Sequence, residues 1–402
     1  MIKNKCRAIA KETKIKKSTL QKTMFVGMVL LTMCAVLLIN NVFAPFTGTV
    51  EAAQHGTSAE CMALLEVTTG RVLYQKNMHT KRAPASTTKI LTAIVVIENT
   101  QDLDKLHKIP DSAVGVEGSS IYLERGEELS VRDLLYGLML QSGNDCAESL
   151  AIITAGSKEK FSEMMNATAK RIGAQNSNFV TAHGLDAEGH YTSAYDLALI
   201  SCYALQNADF AEIAKTKKHS APWKGRDYDR VIVNKNKLLK SFEGCDGVKT
   251  GYTKKAGRTF VSSATRNGMQ VVCAVLNCGP MFEDTARLMN AAFNEFTMYT
   301  PASKNEVVAN LAVEKSRTSS VALGVVNPSC YPLRESEIAQ LKLEVEVPSS
   351  KEAPIHLGEN VGKIKISLDN NLLFEVKLFT MEVADSLSLK DALKDIADRW
   401  NG

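Results

Sequence analysis

Hydrophobic positions between residues 56 and 298 follow two periods, and each period predicts a different kind of element. Short apolar runs at 61–77 and 247–277, broken by turns that contain glycine, predict two strands and then a meander of three strands. Between them, apolar residues recur at helical spacing in 130–140 and 193–205. Each of these runs opens with a serine and an aspartate three residues later, a pattern typical of a capped helix start. Helices with an antiparallel sheet predict an α+β domain at 56–298.

The same helical spacing predicts three further helices in this domain. The first begins near Pro84, because proline is favoured at the first helical position, and its apolar run starts at Ile90. The second helix, 161–172, ends at Gly173, and the third closes the domain at 284–296.

The pattern changes after residue 304, where alternation of apolar and polar residues replaces helical spacing. Strict alternation at 341–347 and 363–379, the latter with a turn at 369–371, predicts a small all-β domain at 304–381, which we interpret as a sandwich. The segment 386–402 predicts a short amphipathic helix. One face of this helix carries Leu389, Leu393, Ile396 and Trp400.

The chain begins with a segment typical of a secretory signal peptide. Eight of the 48 basic residues lie within 1–23, the apolar run 24–39 follows, and 50–52 resembles a cleavage site, with Ala44 as an alternative. A run of sixteen residues is short of the ~20 that span a membrane, yet an uncleaved anchor stays an open alternative. Removal of 1–52 leaves 40 basic and 42 acidic residues, so there is no basic excess for nucleic-acid binding.

The cysteines and the motifs of the chain limit the kinds of cofactor and cross-link that it can be expected to contain. After cleavage seven cysteines remain, most of them in apolar runs and none in a Cys-x-x-Cys pair: Cys61, Cys146, Cys202, Cys245, Cys273, Cys278 and Cys330. This usage indicates buried small side chains rather than a disulfide framework. The sequence contains no HExxH, P-loop or GxGxxG pattern, so it implies no metal or nucleotide cofactor.

Three short motifs carry candidate chemistry, although each alone is weak. Ser-x-x-Lys occurs at Ser86–Lys89 and again at 157–160, Ser-x-Asn occurs at Ser142–Asn144 and again at 303–305, and Lys-Thr-Gly occurs once at 249–251. Context distinguishes the copies, because Ser86–Lys89 opens an apolar helix whereas 157–160 resembles an exposed helix start. The candidate site therefore consists of the motifs that begin at Ser86, Ser142 and Lys249, in that order along the chain.

The spacing of Ser86 and Lys89 suits a nucleophile and its base. Positions i and i+3 of a helix share a face, so the Lys89 amine can reach the Ser86 hydroxyl. A serine in the first turn also places its own N–H at the positive end of the helix dipole, where it can stabilise an oxyanion. Lysine is a base only when its pKa is lowered, which partial burial and a neighbouring cation achieve. We expect Lys249 to be that cation.

The motifs and their surroundings resemble the low-molecular-mass penicillin-binding proteins, the serine-type D-alanyl-D-alanine carboxypeptidases. Four blocks of the chain resemble that family in its order: 83–93, 138–151, 181–200 and 246–264. The resemblance covers about residues 56–300 strongly, and it extends more loosely to the all-β domain and the terminal helix.

The resemblance implies a role for each matching residue. Ser86 is expected to be the acyl-ester nucleophile, Lys89 the proton acceptor, and Ser142 the relay of a proton toward the leaving group. The remaining members of the motifs are expected to contact the substrate or orient Lys89: Asn144, Lys249, Thr250, Gly251 and the backbone N–H of Tyr252, which completes an oxyanion hole.

Three neighbouring residues have less specific interpretations. Cys146 stands where the family usually has alanine, and we interpret it as a buried small residue. Lys235 lies where some members place an arginine near the substrate carboxylate, but a solvated lysine is an equal alternative. His183 matches a His-Gly-Leu block and is expected to brace a loop.

The implied function is that of an exported hydrolase that removes the terminal D-alanine of peptidoglycan pentapeptides and is acylated by β-lactams. It is expected at the outer face of the cytoplasmic membrane or in the cell wall, with weak peripheral membrane contact through 386–402, whose charges balance. One alternative is a β-lactamase, although no Glu-x-x-x-Asn loop lies between Ser142 and Lys249. The other is a non-catalytic wall-binding module.

Overall fold

The computed structural model describes residues 56–388 together with residues 393 and 400. The predicted signal peptide at 1–52 and most of the predicted helix at 386–402 lie outside the described residues. Within the part of the chain that is described, no helix combines the length and the apolar character needed to cross a membrane.

A five-stranded antiparallel sheet forms the centre of the first domain, in the order β2-β1-β9-β8-β7. Its strands are β1 (Cys61–Glu66), β2 (Val72–Lys76), β7 (Cys245–Thr253), β8 (Gly257–Arg266) and β9 (Met269–Leu276). Two short antiparallel pairs flank it: β3 (Leu106–Lys108) with β4 (Glu128–Ser130), and β5 (Lys218–Ala221) with β6 (Arg230–Val233). The two N-terminal strands and the three-stranded meander predicted from the sequence are thus parts of one sheet.

Eight helices of this domain are described: α1 (Lys89–Glu98), α2 (Val131–Tyr136), α3 (Asn144–Ala155), α4 (Lys158–Ile172), α5 (Ala194–Leu205), α6 (Ala208–Lys215), α7 (Leu238–Ser241) and α8 (Met281–Glu295). The predicted serine caps are present, because Ser130 and Ser193 accept the backbone N–H groups three residues ahead at the starts of α2 and α5. Helix α4 ends at Gly173, whose φ of 101° lies in the left-handed region that favours glycine. The α+β prediction is confirmed.

Both faces of the sheet are covered, which explains why β1 reads as a continuous apolar run. Ala63 and Leu65 pack into a core shared with α1 to α6, whereas Met62 and Leu64 pack on the opposite face in a core shared with α8. Successive side chains of a strand point to opposite faces, so a strand buried on both sides has no polar alternation. The helices on the first face carry most of the candidate site.

The C-terminal region is all-β, as predicted. Its six-stranded sheet has the order β14-β16-β17-β12-β11-β15, built from β11 (Val307–Glu314), β12 (Ser320–Gly324), β14 (Lys342–Glu346), β15 (Ser350–Glu352), β16 (Asn360–Leu368) and β17 (Asn371–Thr380). A separate pair joins β10 (Thr297–Tyr299) to β13 (Tyr331–Leu333), and a short helix α9 (Glu335–Ile338) follows. The predicted turn lies between β16 and β17, where Asp369 and Asn370 have positive φ.

One hydrogen-bonded ladder joins all six strands, because Phe379 and Thr380 at the end of β17 pair with β12 while β17 pairs along its length with β16. Buried residues of β11 and β12 share one core with those of β16 and β17. The sandwich arrangement of these strands stays a prediction. Alternation indicates which face of a strand is buried, but it does not determine which strands are neighbours.

Candidate active site

Ser86 lies in a single 3₁₀ turn, Ala85–Thr88, that leads directly into α1. The predicted helix start near Pro84 is therefore a tighter turn than expected, and Lys89 is the first residue of the α-helix. Side chains at i and i+3 eclipse each other in a 3₁₀ turn, so Ser86 and Lys89 face the same way. The preceding residue, Ala85, has a φ of 50°, a conformation that an alanine rarely adopts.

Lys89 is fully buried, and its Nζ atom donates three hydrogen bonds. The acceptors are Ser86 Oγ at 3.2 Å, Asn144 Oδ1 at 2.7 Å and the carbonyl oxygen of His183 at 2.6 Å. Burial, with a smaller contribution from the positive charge of Lys235, lowers the pKa of Lys89 to about 7. A lysine in this state is neutral in a large fraction of molecules near neutral pH, so it can accept a proton from Ser86.

The source of the neighbouring charge differs from the prediction. We expected Lys249 to be the cation that lowers the pKa of Lys89, whereas burial dominates and Lys235 supplies the charge. Lys249 itself is buried, and its pKa lies well below the usual value through burial and the charges of Lys89 and Lys235. The three lysines therefore form one electrostatic cluster, in which the charges of Lys89 and Lys235 oppose the charging of Lys249 and the charge of Lys235 opposes that of Lys89.

Ser142 and Asn144 flank the same lysine. Ser142 follows a π turn at Gly137–Gln141, has a φ of 67°, and its buried Oγ has no hydrogen-bond partner among the described residues. Asn144, the first residue of α3, accepts from Lys89 and donates through Nδ2 to the Glu117 carbonyl at 2.6 Å. Asn144 is thereby held in one orientation, while the Ser142 hydroxyl is free to pair with a substrate.

The Lys249–Tyr252 segment lies on β7, the edge strand of the central sheet. Lys249 Nζ donates to the Thr250 carbonyl at 3.1 Å. A Cβ atom at Gly251 would lie 3.0 Å from the Ser86 nitrogen and 2.4 Å from Thr259 Oγ1, so only glycine allows β7 to approach the Ser86 turn this closely. The side chain of Tyr252 is exposed, which leaves its backbone as the part nearest to the reaction.

One cavity of about 520 Å³ brings these groups together. Its lining includes Ser86, Ser142, Thr250, Gly251 and Tyr252 from the predicted set, with Ser119, Lys235, Arg258 and Met281 in addition. Lys89, Asn144 and Lys249 lie beneath this lining, joined to it through the contacts above. All eight predicted site residues thus meet at one place in the fold.

The second copies of two motifs lie elsewhere in the fold. Ser157 caps α4 by accepting the Lys160 backbone N–H, and the Lys160 side chain is exposed. Ser303 and Asn305 lie just before β11, where the Asn305 N–H donates to the Val325 carbonyl. None of these four residues lines the cavity.

Lys235 is exposed, as the solvated-lysine alternative predicts, and it also lines the cavity. Its Nζ donates to Ser119 Oγ at 3.2 Å in the wall of the cavity, and partial burial of the ammonium group lowers its pKa. His183 has the predicted bracing role, since its Nε2 lies 3.2 Å from Glu148 Oε1 while its carbonyl holds Lys89. Cys146 is buried, and burial raises the pKa of its thiol well above the usual value, consistent with a small core residue.

Comparison with known proteins agrees with the geometry along most of the chain. Residues 48–279 match a family model described as D-alanyl-D-alanine carboxypeptidase, and 296–385 match one described as the C-terminal domain of penicillin-binding protein 5. The D-alanyl-D-alanine carboxypeptidase DacF of Bacillus subtilis is 31% identical, over 95% of this chain and 98% of that protein. DacC of Escherichia coli is also 31% identical, over 85% and 88%.

Solved structures give the same result. The penicillin binding protein 5 of Haemophilus influenzae has a TM-score of 0.69 and 26% sequence identity, covering 82% of this chain and 98% of that one. Penicillin binding protein 6B of Escherichia coli has a TM-score of 0.65 and 26% identity, covering 83% and 98%.

Proposed function

The chain belongs to the family of serine-type D-alanyl-D-alanine carboxypeptidases, and from the arrangement of its cavity we propose that Ser86 cleaves the terminal D-alanine from peptidoglycan pentapeptides through an acyl-serine intermediate. The observation that supports this most is the pairing of Ser86 Oγ with Lys89 Nζ at 3.2 Å, where burial lowers the pKa of the lysine to about 7. A serine hydroxyl needs such a base to become a nucleophile.

In the acylation step, neutral Lys89 accepts the Ser86 proton as Oγ attacks the carbonyl carbon of the penultimate residue. The backbone N–H groups of Ser86 and Tyr252 stabilise the resulting oxyanion. Collapse of the tetrahedral intermediate breaks the C–N bond, and a proton passes from Lys89 through the Ser142 hydroxyl to the leaving amine of D-alanine. Water then hydrolyses the ester by the reverse proton path, which restores Ser86.

The cationic cluster suits a substrate that ends in a free carboxylate. Lys249 is buried and its only hydrogen-bond acceptor in the described structure is the Thr250 carbonyl, so an arriving carboxylate offers this ammonium its missing counter-charge. The Thr250 hydroxyl and Lys235 lie in the same cavity and add donors to the same group. Asn144 orients Lys89 and contacts the substrate amide in this proposal.

Release of D-alanine tests the function directly. The mature protein is incubated with a peptide that ends in D-Ala-D-Ala, and free D-alanine is measured against the Ser86→Ala variant. Stoichiometric labelling by a fluorescent penicillin without D-alanine release would favour a non-catalytic binding module. Rapid turnover of penicillin itself would favour a β-lactamase. Release of D-alanine that Ser86→Ala abolishes, with slow penicillin turnover, is the outcome we expect.

The proposal places the enzyme outside the cell. It includes a cleaved signal peptide at 1–52, a peptidase domain at 56–298, a β domain at 304–381 and weak membrane contact through 386–402. Because that last segment has balanced charges and a short apolar face, we expect an appreciable unbound fraction in liposome co-sedimentation. Unchanged partitioning after truncation at residue 385 would remove the membrane role.

A further inference from the structure

His190 is a buried histidine that reaches the turn carrying Ser86 through one intermediate hydroxyl. Its Nδ1 accepts the Val180 N–H at 2.9 Å, so in the neutral ring Nε2 carries the proton and donates to Thr88 Oγ1 at 2.9 Å. The Thr88 hydroxyl in turn donates to the Ala85 carbonyl at 2.9 Å. The direction of each bond follows from the one before it, which gives a fixed chain from the loop at 180–190 to Ala85.

The Ala85 carbonyl and the Ser86 N–H belong to the same peptide group. A trans peptide is planar, and its C=O and N–H point in opposite directions. Fixing the Ala85 oxygen on one side therefore determines where the Ser86 N–H points on the other. The Ser86 nitrogen lies next to β7, since a Cβ atom at Gly251 would lie 3.0 Å from it.

The Ala85–Ser86 peptide needs such support, because its conformation is not one that alanine prefers. Ala85 has a φ of 50°, so the local chain would relax to another region if its carbonyl were released. The carbonyl is also enclosed, since a Cβ atom at Gly184 would lie 2.0 Å from the Ala85 oxygen. The packing of the loop that contains Gly184 and the hydrogen bond from Thr88 thus both hold the Ala85 carbonyl oxygen in place.

We propose that His190, acting through Thr88, is a positioning residue that aims the Ser86 N–H into the oxyanion hole. The inference rests on the proposed role of Ser86 as the nucleophile. Burial and, to a smaller extent, the charge of His183 lower the pKa of His190 to about 4, so the ring keeps its neutral, donating form near neutral pH. Nδ1 also accepts the Thr181 N–H at 3.4 Å, and the ring packs against the edge of Phe179 with ring centroids 5.9 Å apart.

Substitution at Thr88 tests the proposal without disturbing the bond between His190 and Val180. Thr88→Val removes the hydroxyl at similar volume, whereas Thr88→Ser keeps it. Loss of one oxyanion-hole donor typically costs about 10²–10³-fold, so a misaimed donor should lower the acylation rate constant by about 10–10²-fold in Thr88→Val. Thr88→Ser should recover most of that rate. The pH midpoint of acylation should not move, because Lys89 keeps its contacts.

Infrared spectroscopy separates aiming from general destabilisation. In the penicilloyl enzyme, the ester carbonyl of Ser86 lies in the oxyanion hole, and loss of a donor raises its stretching frequency. We expect a higher frequency in Thr88→Val and the wild-type frequency in Thr88→Ser. Thr92→Val is the matched control, because the Thr92 hydroxyl also bonds this loop, at the Ala182 carbonyl 2.7 Å away, without touching Ala85. It should lower stability but leave the frequency unchanged.

The same measurements identify failure. A His190→Gln and Thr88→Val double variant should lose no more rate than Thr88→Val alone, because both act on one bond. Additive losses, an unchanged carbonyl frequency in Thr88→Val, or an equal shift in Thr92→Val would overturn the proposal. A wild-type protein that forms no acyl-enzyme would instead refute the role of Ser86, which is a distinguishable result.

Discussion

The two Ser-x-x-Lys copies have the same spacing, but the hydrogen bond between serine and lysine joins different atoms in each. In the first copy the side chains meet, with Ser86 Oγ 3.2 Å from Lys89 Nζ and the lysine fully buried. In the second, Ser157 Oγ accepts the backbone N–H of Lys160 at 3.2 Å, and the lysine side chain is exposed. Both lie at the start of a helix, so position in the secondary structure does not separate them.

Two physical differences separate the copies. Ser157 has extended backbone angles, φ −153° and ψ 161°, which direct its hydroxyl to the helix N–H groups as a cap. The 3₁₀ turn at Ala85–Thr88 instead leaves the Ser86 hydroxyl to the cavity. The core then buries Lys89, and only a desolvated lysine acquires the lowered pKa of a base. A Ser-x-x-Lys motif can therefore provide a nucleophile and its base only where the fold leaves the serine hydroxyl uncommitted and buries the lysine.

Removing the serine from each copy gives the largest expected contrast. Ser86→Ala should abolish covalent labelling by a fluorescent penicillin and lower D-alanine release by about 10⁴-fold or more, because no nucleophile remains. Ser157→Ala should label as the wild type does. Both variants should keep their circular dichroism spectrum. Labelling that persists in Ser86→Ala and disappears in Ser157→Ala would reverse the assignment.

Changing each lysine to arginine tests whether charge or proton acceptance matters. Lys89→Arg should slow acylation by about 10³-fold, as much as Lys89→Ala, because arginine keeps the positive charge but does not lose its proton in a protein. Lys160→Arg is the matched control and should acylate normally. Substantial acylation by Lys89→Arg, measured in stopped-flow labelling, would mean that Lys89 is only an electrostatic partner.

Substitution of Lys249, which lies beside the first copy, should lower activity less than substitution of Ser86 or Lys89. Lys249→Ala should lower kcat/KM by about 10²-fold on a peptide with a free terminal carboxylate, since a charged hydrogen bond to the substrate is lost. Lys249→Met, which fills the volume of this buried side chain, separates lost charge from a cavity. An equal loss on a peptide with an amidated C-terminus would contradict carboxylate binding.

The pH dependence of acylation should follow the protonation of Lys89 in the first copy and be independent of Lys160 in the second. Because burial lowers the pKa of Lys89 to about 7, the neutral base is the minor form below that pH and the major form above it. The acylation rate constant should therefore rise by about tenfold from pH 6 to pH 8. Lys160→Ala should keep this profile. A rate that falls with pH over this interval would show that the protonated lysine is the active form.

The residues of the site that the sequence predicts are those tied to local structure. Ser86 and Lys89 lie within four consecutive residues at a predicted helix start, and Lys249 lies on a strand of the predicted meander. Asn144 lies two residues after Ser142 in the same short motif. Lys235 and His190 come near the Ser86 turn only through tertiary packing of distant segments. The family resemblance marked Lys235 as one of two alternatives, and no local pattern marked His190. The positive φ of Ala85 likewise has no signal in the residue type.

The fold shows the same division between local and long-range information. In the first domain, periodicity and caps predicted five helices (α1, α2, α4, α5 and α8) and the strands of the central sheet, because each depends on neighbours in the chain. Helices α3, α6 and α7 and the short strands β3 to β6 were not predicted. The order of strands in the C-terminal sheet depends on pairing over long separations, such as β12 with the end of β17. Alternation does not encode that pairing, so the strand order could not be predicted from the sequence.

The smallest effect belongs to the second copy and concerns stability alone. Ser157→Ala removes the cap of α4, which typically costs about 1 kcal/mol of local helix stability. Amide hydrogen exchange at Lys160 measures this loss, because its N–H donates to Ser157 Oγ, and the exchange should quicken by about fivefold. Ser157→Asp should restore protection, since aspartate is an equally good cap and favours the positive end of the helix dipole. If Ser157→Ala instead slowed acylation while leaving this amide protected, the second copy would have a role in the reaction and the contrast between the copies would fail.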